Sequence, residues 1–508
     1  MKKTNRLALF GATIVAAGAI AGCGGAADGG KNAAAPAKDA PVDNTPYPIS
    51  IAVTQVGDIP AKGNEVEQAI EKYTNTKLDI QWIPSAAYDE KINVMIASNE
   101  LPKIVKVKYI PTIISAVESG LFWEIGPYLK DYKNLSAQNK LYYDNISVGG
   151  KLYGIPTYRD IGRAAVVYRA DWLKNLGMKA PTTTDEWYNV MKAMTQNDPD
   201  KNGKNDTYGM IVSKTYNQGA ASMTTRMAVT LGGPNKWAVD NGKFIPEFLT
   251  KEYNDVLKLL KRAYDEKLIN QDFAVFDDAE VEKAYDSSRA GLRIAVAQNA
   301  KSMQERLAKI TPTGEFDVMS MTGPTGIRIA SEAGNNGFLA IPKSSVKTEA
   351  ELKKVLTFLD KMMDEPMSTL QMRGIEGKHF VKVDGNKTEY KDFNDFQRLV
   401  KPYRDNLLNI EGYNVAPLKD VPIGEKGTML ARDGAKYIVA NPALTLPSAT
   451  YSERGKELDT MINDAQTKFI MGKIDEAGYQ AEIDKWRKAG GDKVIKEYED
   501  AYAKLNKK

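Results

Sequence analysis

From Tyr47 onward, short apolar runs alternate with stretches of helical periodicity. Ile49 to Val53 reads as a strand, and Glu65 to Tyr73 as a helix with Val66, Ala69, Ile70 and Tyr73 on one face. Leu78 to Ile83 is a second strand, Tyr88 to Ala97 a helix, Ile104 to Val107 a third strand, and Pro111 opens another helix. Strands spaced by helices predict βαβ units around a parallel sheet, and so an α/β fold. Further on, Lys151 to Pro156 and Ala164 to Tyr168 read as strands joined through Thr157-Tyr158-Arg159-Asp160. Asp171 to Leu176 is a helix stopped by Gly177, and Thr183 with Glu186 forms a capping box for the next one. Helical patterns fill the C-terminal part, from Leu458 to Phe469 and from Asp475 to Leu505.

A length of 508 residues supports roughly two to four domains. With one histidine, His379, and one cysteine, Cys23, the usual zinc sites, histidine-based nucleophilic catalysis and a disulfide framework are close to excluded. A net charge of +4 in a chain that is 26% charged is too balanced for a nucleic-acid binder.

The N-terminus carries an address. Lys2, Lys3 and Arg6 precede an apolar run from Leu7 to Ile20, shorter than the ~20 residues that span a bilayer. The run ends in Ile20-Ala21-Gly22-Cys23, which resembles the lipobox of bacterial lipoproteins, with isoleucine where leucine is usual. That resemblance implies a signal peptide over 1–22, lipidation of Cys23 and anchoring by several acyl chains. Residues 23–45 are small and polar apart from Val42 and read as a flexible tether.

Asp198-Pro-Asp-Lys-Asn-Gly-Lys-Asn-Asp206 has the spacing of a calcium loop. Asp198, Asp200, Asn202 and Asp206 supply oxygens, Lys204 a backbone carbonyl, and Gly203 the sharp turn. Gly209 stands where an EF-hand has its bidentate glutamate, and a polar surface turn is the alternative reading. His379 has no catalytic partner in sequence and reads as structural. Trp82, Tyr109, Tyr158 and Trp237 fall near loops, where a flat ring with a polar handle suits a sugar; packing in the core or between lobes is the competing role for each.

Taken in order, Lys151-Leu-Tyr-Gly-Ile-Pro156, Val167-Tyr-Arg-Ala-Asp-Trp-Leu173, Leu176-Gly-Met-Lys-Ala-Pro181, Asp185-Glu-Trp-Tyr188, Gly232-Gly-Pro-Asn-Lys-Trp-Ala238, Ile375-Glu-Gly-Lys-His379 and Phe469-Ile-Met-Gly472 resemble the extracellular solute-binding lipoproteins of bacterial ABC importers. The similarity is greatest to the branch of alginate-oligosaccharide-binding proteins with a calcium loop. That branch often has an acidic residue after the last aspartate, where this chain has Thr207. The resemblance implies a type II periplasmic-binding-protein-like α/β fold, two lobes joined by crossing strands with the ligand between them. It implies lobe 1 over 46–158 and 328–375, and lobe 2 over 159–327 and 376–508. It further implies a monomer without enzymatic activity, lipid-anchored on the outer face of the cytoplasmic membrane. Such a protein captures a carbohydrate, closes on it and delivers it to ABC permease subunits.

The resemblance implies a first crossing near Thr157 to Arg163 and a return near Gly323 to Ala333; Arg159, Arg328 and Asn335 lie in or beside them and join the four aromatics as candidate ligand contacts. Lys106 and Lys108 share one face of the third strand, and with Arg159, Arg163 and Arg328 they point to an acidic sugar. A neutral saccharide is the other reading. An exported lyase or glycosidase, and a surface adhesin or chaperone lipoprotein, are the alternatives to a transport receptor.

Overall fold

The computed structural model describes residues 45–55, 57–407 and 414–506. The expected signal peptide, Cys23 and all but the last residue of the tether lie outside the described residues. From Pro46 the chain forms one compact unit, built on two sheets with separate cores.

The first sheet has five strands in the order Thr76–Pro84, Tyr47–Gln55, Ile104–Val107, Asn335–Ala340, Gly154–Tyr158. Its first three strands are parallel. Ile51, Ala52 and Val53 are all fully buried in succession, as a parallel strand covered on both faces requires. The helix Glu65–Thr74 between the first two strands is capped by Asn64, whose side chain accepts the N–H groups of Val66 and Glu67. The expected parallel sheet is found in those three strands, and Asn335–Ala340 joins it antiparallel to both its neighbours. That strand returns from the second sheet, and antiparallel pairing needs no crossover helix.

The second sheet is ordered Phe316–Ser320, Ala164–Arg169, Ala290–Val296, Tyr208–Met210. Alternation along Ala164–Arg169 separates two cores. Ala164 and Val166 face a large helical core that includes Trp172, Tyr253 and Ile462, while Ala165 and Val167 face a smaller one with Tyr285, Met303 and Val318. The capping box of Thr183 and Glu186 is present, and Gly177 takes the left-handed conformation (φ 63°) that ends the preceding helix.

The chain leaves the first sheet at Tyr158, enters the second at Ala164, leaves it at Ser320 and returns at Asn335. Phe396, Val400, Tyr403 and Leu407 are buried in the first core. The expectation that all of 376–508 belongs to the second lobe is therefore corrected: residues up to Leu407 pack with the first. The helices Ala449–Ile470, Glu476–Trp486 and Asp492–Asn506 pack on the second core. No helix among the described residues is long and apolar enough to cross a membrane.

Candidate functional site in the interlobe crossings

The crossings concentrate charge. Glu332, on the return segment, takes two arginines from elsewhere in the chain. Arg163 donates Nε and Nη2 to its Oε2 at 3.0 and 2.7 Å. Arg226, on the helix Met223–Thr230, donates Nη2 to Oε1 at 3.0 Å and Nη1 to the Ala295 carbonyl at 3.2 Å. Asp160 is also tied down, accepting the Tyr158 hydroxyl at 2.6 Å and the Gln298 amide at 2.8 Å.

Arg159 differs from both neighbouring arginines. Its backbone N–H is fixed on the Gly334 carbonyl at 3.0 Å. Its side chain is exposed, with no hydrogen-bond or ion-pair partner among the described residues. Partial desolvation by the surrounding protein and then Arg163 pull its pKa below the ordinary arginine value, while Glu332 and Asp160 raise it. It is still a full cation at neutral pH. Arg159, Arg163 and Arg226 thus meet two carboxylates that are already engaged, leaving positive charge at the crossing.

The other expected ligand residues are distributed more widely. Tyr158 pairs in register with Asn335, and its ring lies 5.5 Å from that of Tyr142. The Asn335 side chain is used locally, donating to Ala333 and accepting from Gly337 N–H. Tyr109 reaches two segments, donating to the carbonyls of Ser147 at 3.1 Å and Thr445 at 3.2 Å. Burial pushes its hydroxyl up to about 12. Trp82 is half-buried at the C-terminal end of the edge strand, edge-on to Tyr403 at 5.5 Å on the first core. Trp237 lies on the second core, 5.1 Å from Tyr498, and lines a cavity of about 310 Å³. Trp82 and Trp237 therefore serve different cores.

Three cations are differently employed than the sequence suggests. Arg328 donates to the carbonyls of Val229, Gly232 and Gly233, closing the C-terminal end of the helix Met223–Thr230. Lys106 is only 5% exposed, and its amine donates to the Asp405 carbonyl and Asn406 Oδ1 at 2.8 and 3.1 Å. Lys108 is exposed and pairs with Asp89 at 2.7 Å. Arg226 and Gln298 entered no motif in the sequence. Each acquires its place from residues distant in the chain.

The loop from Asp198 to Asp206 folds on itself. Asp198 accepts the N–H groups of Asn202 and Gly203, both at 2.9 Å. The Asn202 amide nitrogen stands between the Asp200 and Asp206 carboxylates at 3.0 and 3.2 Å. Asp200 Oδ1 is buried without a partner. Burial first, then Asp198 and Asp206, push the Asp200 carboxyl above its ordinary range, while an N–H of Asn202 lowers it.

His379 is fully buried. Its Nδ1 accepts the Ile375 N–H at 2.9 Å, so the proton of the neutral ring sits on Nε2, which faces Asp395 Oδ2 at 3.3 Å. Burial pulls its pKa down, which favours that neutral ring, and Asp395 raises it. Glu65, His379 and Asp395 present their polar atoms within 4.8 Å of one another. With Nδ1 engaged, the neutral ring has no second lone pair for a metal, and the Lys378 amine pairs with both carboxylates.

Two lobes on separate cores, joined by charged crossings, define a binding protein of the hinged, two-lobed class. The chain matches the bacterial extracellular solute-binding protein family over residues 57–365 and belongs to that family. It is 39% identical over 450 residues to Lipoprotein LipO of Bacillus subtilis (strain 168), which covers 86% of this chain and 88% of LipO. It is 38% identical over 451 residues to the polygalacturonan/rhamnogalacturonan-binding protein YtcQ of the same strain, covering 87% and 89%. Its fold is similar to that of the alginate-binding protein AlgQ2, solved without calcium ion, at a TM-score of 0.60 and 19% identity, covering 90% of this chain and 98% of that one.

Proposed function

We propose that this protein captures an acidic oligosaccharide outside the cell and delivers it to the permease subunits of an ABC importer. The observation that carries the acidic reading is Arg159, a cation without a partner among the described residues at the interlobe crossing. A guanidinium fork matches a uronate carboxylate at two points. The likeness to YtcQ, at 38% identity over most of both chains, supports the same class of ligand. A ligand that touches both lobes favours the closed state by its differential affinity for it, and the permease reads that state. Lipidation at Cys23 would hold the receptor at the outer face of the membrane, a reading supported by the likeness to Lipoprotein LipO.

Calcium belongs to the same proposal. The loop residues fit a hard cation: three carboxylates and an amide converge, and one buried aspartate oxygen lacks a partner. Asp198, Asp200, Asn202 and Asp206, with the Lys204 carbonyl, would hold the ion. Bound calcium would supply the positive charge that these carboxylates lack.

Incubation of the protein with oligogalacturonides tests the function. A receptor shows a ligand-dependent rise in Tm and returns the saccharide unchanged. New reducing ends would show an enzyme instead.

A further inference from the structure

The cavity beside Trp237 carries the opposite electrostatic character to the crossing. It runs from the exposed Gly219, Ala220, Tyr451 and Asp459 to a buried floor that includes Tyr253 and Trp486. Its volume of about 310 Å³ is at the small end for ligand pockets. One wall is aromatic: Trp237 and Tyr498 meet edge to face at 5.1 Å, and the Tyr451 ring lies 6.5 Å from Tyr498. The floor is polar and interconnected. Gln466 Oε1 accepts from Asn217 at 2.8 Å and from the Tyr253 hydroxyl at 3.2 Å, and Tyr253 donates to Thr224 at 3.0 Å.

Among the lining residues, Lys236 is the cation, and it is committed to Glu247 at 2.9 Å. Asp459 has the Tyr451 hydroxyl at 2.8 Å and no ion-pair partner among the described residues. The surrounding protein holds its carboxyl above the ordinary range, against the pull of that bond and of Lys236. A carboxylate brought alongside would add like-charge repulsion. Sugar hydroxyls, in contrast, would donate to it while a ring face packs on the indole.

We infer that this cavity holds an uncharged sugar ring at one end of the bound saccharide. The inference deepens the proposed function and rests on its saccharide reading. It divides the ligand by charge, with uronate recognised at Arg159 and a neutral terminal ring beside Trp237.

The test is calorimetry of the full-length protein with tetragalacturonate and with a rhamnogalacturonan tetrasaccharide ended by rhamnose. The rhamnose-ended chain is expected to bind at least about tenfold tighter. Asp459→Asn should narrow that ratio several-fold, by relieving repulsion and weakening the neutral ligand's hydrogen bonds. Trp237→Phe, which retains a ring, should weaken the rhamnose-ended chain alone. Equal affinities, or tighter binding of tetragalacturonate, with a ratio unmoved by Asp459→Asn would overturn the inference while leaving the acidic receptor intact. If only neutral oligosaccharides bind, the acidic reading fails by itself; Asp459→Asn must then weaken them, and no change overturns the cavity. Absence of binding by any saccharide overturns both.

Discussion

Gly162 and Gly434 meet backbone to backbone where the first crossing passes the segment leading into Ile438–Val439. A Cβ on Gly434 would fall 1.8 Å from the Gly162 carbonyl oxygen, and one on Gly162 would fall 2.4 Å from the Gly434 carbonyl carbon. Neither contact can be relieved by turning a side chain. Gly434→Ala is expected to destabilise the protein by about 1–3 kcal/mol, the usual cost of forcing atoms into a packed site. Urea unfolding with unchanged m-value checks this; an unchanged midpoint would show that the crossing gives way.

Glu332 joins Arg163 and Arg226, all three side chains being 11–19% exposed. Glu332→Gln is expected to cost about 3 kcal/mol, because two largely buried guanidiniums lose their shared counter-charge. Adding Arg163→Gln should recover part of that loss in a double-mutant cycle. Strictly additive losses would show that the pair does not couple.

Lys106 sets a pH dependence. Burial lowers its pKa from 10.5 to about 8 in the folded protein, despite the opposing pull of Asp405. Between those values the unfolded chain binds more protons, so stability rises with pH and is lost as pH falls through about 8. The stability difference between wild type and Lys106→Met should therefore shift by about 3 kcal/mol in favour of wild type from pH 7 to above pH 10.5. A flat difference would place the amine in water.

What was legible in the sequence was local. The capping box at Thr183, the stop at Gly177 and the first three strands each depend on a few neighbouring residues. Roles fixed by distant partners were hidden. Lys106 alternates with Val105 and Val107 as any strand lysine does, yet its amine is anchored about 300 residues away. Arg328 looked like a ligand contact because it lies in a crossing, but a helix end formed by Val229 to Gly233 captures it. The cavity beside Trp237 draws its lining from Asn217 to Tyr498, so no sequence window contains it.

The loop at Asp200 is expected to bind one calcium ion. Saturating calcium at 100 Kd should add ~2.7 kcal/mol of stability, removable by chelator. Asp200→Ala should abolish the response. A Tm indifferent to both calcium and chelator would leave the loop a turn.

Cys23→Ser is expected to release the protein from the cell membrane without changing its affinity for saccharide. Fractionation followed by calorimetry checks both halves. Retention on the membrane would contradict lipidation at this residue.

In the proposed receptor, Arg159 at the crossing reads a uronate. Calorimetric titration of tetragalacturonate into wild type and Arg159→Ala, at low and high salt, tests it most directly. Wild-type binding should weaken with salt, and Arg159→Ala should lose about tenfold in affinity and part of the salt dependence. Binding confined to neutral oligosaccharides, or acidic binding indifferent to both salt and Arg159→Ala, would contradict it.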